Sequence, residues 1–257
     1  MGEAVRIDAK GSLAVLRLEK ARANAIDPAL VEALIAAAAA LEADDGVRGV
    51  LLASAHPKVF CPGLDLVTLI EYERPAMRAF MLRFAEMVWA LYGLRKPVVA
   101  AVNGHAVAGG CILALTADLR VLRRGGAQIG LNEVKIGVPL PWSVALLLRA
   151  SVPPQSYAPV ALLGRNFGDE EALAAGLVDD LAHPEGFEGF CLGRLQEFAD
   201  KDPHAFAVIK EYGRADTLRA MREREEPLLE AWLDGWFAEP TRVRLREMVD
   251  SLTKPRA

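Results

Sequence analysis

Three short segments carry residue types suited to chemistry. The first is Val59-Phe60-Cys61-Pro62-Gly63-Leu64-Asp65-Leu66. A glycine between a strand and a helix lets the backbone turn tightly and expose N–H groups. The second is Asn103-Gly104-His105-Ala106-Val107-Ala108-Gly109-Gly110-Cys111. Gly109-Gly110 fall where a helix begins, so free N–H groups and the positive end of the helix dipole meet there. That arrangement suits a developing negative charge. The third runs from Gln128 to Pro139 and holds one carboxylate, Glu133, inside an otherwise apolar stretch bounded by Gly and Pro. Burial there raises a carboxyl pKa and favours a base. Each segment alone has a plainer reading: a glycine pair is a tight turn, and Glu133 is a surface residue beside Lys135. Neither glycine loop fits the phosphate-cradling G-x-x-x-x-G-K-[ST] pattern or the dinucleotide fingerprint.

Elements of regular structure must hold these loops. Val5 to Leu18 alternates in polarity about a turn at Ala9–Ser12 and predicts a β-hairpin. Asp27-Pro28 caps and opens a helix that runs to Ala43. Val47–Ser54, Pro97–Asn103 and Asp118–Leu122 are short apolar runs that predict buried strands, and 75–94 and 111–117 predict helices. Strand, loop and helix in this alternation imply an α/β layered core. After about Pro141 strand runs nearly vanish, apart from 176–179. Residues 153–163, 169–175, 186–199 and 205–233 read as helices. Residues 240–252 form an amphipathic helix with Val243, Leu245, Met248, Val249 and Leu252 on its apolar stripe. That stripe packs on its own chain or forms a subunit interface.

Composition narrows the function classes. The chain has 257 residues, with 30 Lys+Arg against 34 Asp+Glu and a net charge of −4, so there is no global basic field for nucleic acid. Cys61, Cys111 and Cys191 form an odd, widely spaced set without a C-x-x-C pair. No disulfide framework or metal site is expected, and a reducing, cytoplasmic location fits. The first twenty residues have no h-region, so no signal peptide is expected. No apolar run reaches the roughly 18 residues of a membrane span.

Taken in order, the three loops resemble the crotonase, or enoyl-CoA hydratase/isomerase, superfamily. The matching pieces are FCPGLDL (60–66), PVVAAVNGHAVAGGCILALTADLRV (97–121) and IGLNEVKIGVPLP (129–141). ARANAID (21–27) and LGRNFGDEEALAAGLVDDL (163–181) add weaker matches. The resemblance implies a spiral core of repeated β-β-α units over residues 1–200. It also implies a helical C-terminal region, 201–257, that builds trimers or hexamers. It implies an acyl-CoA thioester substrate whose coenzyme A is part of the substrate, with no separate cofactor. The oxyanion-hole N–H groups fall on Leu64 and Gly109. Substrate contacts fall on Ala23, Ala25, Pro62, Gly63, Leu64, Asp65, Leu66, Gly109, Ile112 and Trp142, with Asp65 more suited to structuring its loop. Lys58, Arg22 and Lys254 are candidates for the CoA phosphates, and His56 and His105 are loop histidines.

Within this superfamily carboxylates select the reaction. Hydratases use two glutamates, one at the position of Glu133 and one at the position of Ile112. Isoleucine can neither bind nor activate water. Dienoyl-CoA isomerases add carboxylates at the positions of Ile112 and Pro141. The remaining pattern is most like the one-glutamate Δ3,Δ2-enoyl-CoA isomerase branch, in which Glu133 moves a proton from C2 to C4. The alternatives are a hydratase, hydrolase or decarboxylase of the same superfamily, and a non-catalytic CoA- or RNA-binding homologue. The last fits poorly, because Arg214, Arg219, Arg222 and Arg224 are balanced by Glu223, Glu225 and Glu226.

Overall fold

A computed structural model describes residues 4–254. Its main sheet has six strands in the order β1 (Val5–Lys10), β2 (Leu13–Leu18), β3 (Gly49–Ser54), β5 (Val98–Val102), β7 (Leu119–Arg123) and β9 (Asp180–Ala182). The β1–β2 hairpin is antiparallel, pairing Val5 with Leu18 and Lys10 with Leu13, and every other pair is parallel. Parallel strands covered on both faces read as continuous apolar runs, which is why GVLLAS and VVAAV lack alternation. Side chains still alternate between faces. Leu51 and Val99 face α9 (Phe187–Ala199), packing with Cys191 and Leu195. Leu52 and Ala100 face the main core, built on α2 (Pro28–Ala43) and α4 (Arg74–Tyr92). Asp27 caps α2 as its sequence predicts, accepting from Leu30 N at 3.0 Å.

A second sheet has three parallel strands, β4 (Val59–Cys61), β6 (His105–Val107) and β8 (Ile129–Gly130). These strands lie inside the three chemistry-bearing segments, which sequence periodicity reads as loops. Each pair of strands feeds a helix. β3-β4 leads to α3 (Leu66–Leu69) and α4, β5-β6 to α5 (Gly109–Leu115), and β7-β8 to α6 (Glu133–Ile136) and α7 (Trp142–Ser151). The β-β-α unit therefore recurs three times without any visible sequence repeat.

The C-terminal half is helical, with α8 (Asp169–Ala174), α9, α10 (Pro203–Phe237) and α11 (Glu239–Thr253). Two expectations need correction here. Residues 153–163 form a 3₁₀ turn, Pro154–Ser156, then a π-helical turn, Ala158–Leu162. Prolines at 153, 154 and 159 lack the donors of a regular helix. Gly176 takes φ +68 and ends a helix, so the strand begins later, at Asp180. From α10 and α11, Met221, Leu229, Trp232, Trp236 and Leu245 belong to the same buried cluster as residues of β2 and α5. Leu245 of the α11 stripe is fully buried, so the stripe packs on its own chain there, whereas Leu252 is 65% exposed. Asp118 holds the start of α10 in place, accepting from Lys210 Nζ at 2.6 Å and Arg214 Nη2 at 2.7 Å. Among the described residues no helix is long and apolar enough to cross a membrane.

Candidate active site

The second sheet sets three chain ends side by side: Pro62-Gly63-Leu64 after β4, Ala108-Gly109 after β6 and Asn132-Glu133 after β8. Ile26 binds across the first, donating its N–H to Gly63 O and accepting from Asp65 N, both at 2.8 Å. The Leu64 N–H between them has no backbone acceptor among the described residues. Gly109 opens α5, so its N–H is one of the donors a helix start leaves free. Ala108 sits at φ 49, ψ −120, a conformation that strains a residue with a side chain. Its N–H donates to Gly130 O at 2.8 Å, so the neighbouring strand holds the strained turn that aims Gly109.

Two glycines permit the approach of these loops. A Cβ on Gly109 would lie 3.1 Å from Gly63 Cα, and one on Gly110 would lie 1.9 Å from Cys61 O. Backbone thus packs on backbone, and two free N–H groups lie on adjacent loops. A pair of fixed donors in a dry site can bind an oxygen that gains negative charge.

Glu133 begins α6. Its Oε2 is enclosed and has no hydrogen-bond partner among the described residues. Burial pushes its carboxyl up to about 7. Lys135 is exposed and makes no ion pair with it. The plainer reading, a surface salt bridge, does not hold. A cavity of about 200 Å³ joins Glu133 to Leu64, Gly109 and Ile112, with Pro62 and Leu66 also on its wall. Ile112 is 3% exposed and contributes only hydrocarbon. A larger, more polar hollow of about 460 Å³, near Arg48 and Phe198, contains none of the three loops.

Other expected contact residues lie around this cavity rather than in its wall. Gly63 lies beneath Gly109, as its close approach shows. Ala23 and Ala25 belong to α1 (Ala21–Asn24) and its cap, where Arg22, Ala23 and Asn24 all take positive φ. A left-handed run of three such residues is strained and needs outside support. Asn24 supplies it, donating from Nδ2 to Ser54 Oγ at 2.8 Å and to Phe60 O at 3.0 Å. Asp65 caps α3, accepting from Thr68 Oγ1 at 2.9 Å, and pairs with Arg22 at 3.2 Å. It structures the loop, as its position suggested. His56 and His105 accept from nearby backbone N–H groups through Nδ1, outside the cavity.

Trp142 is a correction. It does not border the cavity; only its neighbour Pro141 does. Trp142 Nε1 donates to Ala220 O at 2.9 Å, and the Arg224 guanidinium lies 4.6 Å from its ring. The phase of α7 turns this side chain toward α10. The aromatic wall comes instead from Trp232 and Trp236 on α10 and Phe84 on α4. Sequence reading missed these, although the i, i+4 spacing of the two tryptophans places them on one helix face.

The chain is similar in sequence and fold to known proteins. A family described as enoyl-CoA hydratase/isomerase matches residues 8–231. The human protein named enoyl-CoA delta isomerase 1, mitochondrial, is 31% identical over 215 residues, covering 83% of this chain and 71% of its own. A carnitinyl-CoA dehydratase of Salmonella arizonae is 32% identical over 225 residues, covering 88% of this chain and 85% of its own. The crystal structure of human mitochondrial delta3-delta2-enoyl-CoA isomerase superposes with a TM-score of 0.93 at 25% identity, over 97% of this chain and 98% of that one. The chain therefore has the crotonase fold and belongs to the enoyl-CoA hydratase/isomerase family of acyl-CoA enzymes.

Proposed function

We propose that this chain shifts the double bond of a 3-enoyl-CoA thioester to C2. The thioester oxygen accepts from the N–H groups of Leu64 and Gly109, which stabilise the enolate as charge develops. Glu133 takes a proton from C2 and returns it to C4. One base is enough, because the proton leaves and rejoins the same conjugated system. The observation that carries this reading is the pairing, in one cavity, of a Glu133 carboxyl whose enclosed Oε2 has no hydrogen-bond partner among the described residues with the hydrocarbon of Ile112. Similarity in sequence and in structure to a human mitochondrial protein named as an enoyl-CoA isomerase supports it.

Water chemistry is the competing reading, favoured by similarity to a dehydratase. It needs a water anchored by about two to four polar partners, and the Ile112 side offers none. Ile112→Glu is therefore expected to raise hydration of a 2-enoyl-CoA, measured by loss of the conjugated thioester absorbance. The gain is partial, because a buried carboxylate also needs supporting hydrogen bonds. A rise in isomerisation with no rise in hydration would count against this use of the position.

Assembly as a trimer, alone or paired into a hexamer, belongs to the same proposal. Ile209 and Tyr212 on α10 are 71% and 79% exposed, and cyclic homo-oligomers bury such side chains. Light scattering at micromolar concentration is expected to report three chains of 27.8 kDa or a multiple of that. A monomer would contradict it.

A further inference from the structure

Glu133 sits on a turn that cannot hold itself. α6 has four residues, none of them buried, and its N-cap, Asn132, makes no side-chain capping bond. Helices this short are not stable alone. The turn closes at Gly137, which takes φ +84 and donates its N–H back to the carbonyls of Glu133 and Val134. The Gly137 carbonyl then meets a side chain from the far end of the chain. Thr241 on α11 is 3% exposed, and its Oγ1 donates to Gly137 O at 3.1 Å. A Cβ on Gly137 would lie 2.6 Å from that oxygen, so only glycine allows this approach.

The next residue reaches the other half of the site. Arg242 Nη2 donates at 2.6 Å to the carbonyl of Ile70, the C-cap of α3. α3 also has four residues, and it begins two residues after Leu64. One turn of α11 thus grips the C-caps of both short helices, one bearing the base and one following an oxyanion donor. α11 is anchored separately by Leu245, which is fully buried. Apolar contacts serve the same stretch: Val138 is buried, and a Cβ on Gly235 of α10 would lie 2.4 Å from Pro139 Cδ. Apolar contact has no direction, however, whereas a hydrogen bond has a preferred distance and angle. The hydroxyl therefore sets the orientation of the turn that packing brings into place.

We propose that Thr241 is a positioning residue: its hydroxyl, acting through the Gly137 carbonyl, orients Glu133 and, with Arg242, fixes the base relative to the Leu64 donor. This rests on the isomerase reading given above. Thr241→Val keeps the side-chain shape and removes the hydroxyl, and Thr241→Ser keeps the hydroxyl. Turnover of 3-octenoyl-CoA is measured per binding-competent site, counted by calorimetric titration with octanoyl-CoA, so a partly folded sample does not mimic a displaced base. Thr241→Val is expected to lower kcat by about 10–100-fold with KM within about threefold, the scale of a reacting group misplaced by about 1 Å. Thr241→Ser is expected to recover most of that rate. Crystal structures of both variants give a readout besides activity. The Glu133 carboxyl is expected to move by about 1 Å or more in Thr241→Val and to stay in place in Thr241→Ser. A fall in kcat of less than about fivefold in Thr241→Val, an equal fall in Thr241→Ser, or an unmoved carboxyl would overturn the proposal. Isomerisation by the unmodified protein with an unmoved carboxyl in Thr241→Val removes this inference alone. A carboxyl displaced by Thr241→Val, in a protein that does not isomerise when unmodified, removes the isomerase reading alone.

Discussion

Glu133→Gln is expected to lower isomerisation of a 3-enoyl-CoA by about 10²–10⁴-fold, the scale of a positioned acid–base group. Glutamine keeps the shape of the side chain but cannot accept the C2 proton, so binding of the thioester persists while kcat falls. The pH dependence follows from the same carboxyl. Burial pushes it up to about 7, and only the ionised form is a base. The rate of the unmodified protein therefore rises with pH through about 7 and then levels. Stability moves the other way. A carboxyl whose pKa is raised by folding favours the native state when protonated, and that contribution is lost as pH rises through about 7. Glu133→Gln is thus expected to melt at a higher temperature than the unmodified protein at pH 8. The two should converge as pH falls toward the ordinary carboxyl value of 4.5. Turnover near that of the unmodified protein would remove Glu133 from the mechanism.

Gly109→Ala is expected to lower kcat by about 10²–10³-fold, the scale of losing one oxyanion donor. The added Cβ would meet Ile26 Cδ1 at 2.7 Å and Gly63 Cα at 3.1 Å. The isoleucine methyl can rotate away, but Gly63 is backbone and directly precedes Leu64. Relief of the contact therefore moves one or both N–H donors apart. Gly193→Ala in α9 is the control, because a Cβ there meets nothing within 4 Å. It should leave kcat unchanged. Equal activity of the two variants would show that the close approach of these loops is not needed for catalysis.

Parts of the fold were legible in the sequence because local chemistry decides them. Asp27-Pro28 marks a helix start by capping and ring geometry, and GVLLAS and VVAAV mark buried parallel strands by their apolar runs. The order of the three loops, with Glu133 in an apolar frame, was legible for the same reason. The second sheet was not: β4, β6 and β8 have three, three and two residues, too few to carry a period. Nor was the aromatic wall of the cavity. Trp232 and Trp236 reach the cavity from about a hundred residues further along the chain than Glu133, and only tertiary packing brings them there. Trp142 misled for the opposite reason. It follows IGVPLP in sequence, but the carbonyl of Ala220 and the guanidinium of Arg224 hold its ring outside the cavity.

The central claim is that one carboxylate, facing hydrocarbon, does the work of the site. The most direct test is the ratio of two activities in the unmodified protein: isomerisation of a 3-enoyl-CoA and hydration of the matching 2-enoyl-CoA, at several chain lengths. With Glu133 opposite Ile112, isomerisation is expected to exceed hydration at every length the cavity accepts. Hydration equal to or faster than isomerisation would mean that another group activates water and that the one-base account is wrong.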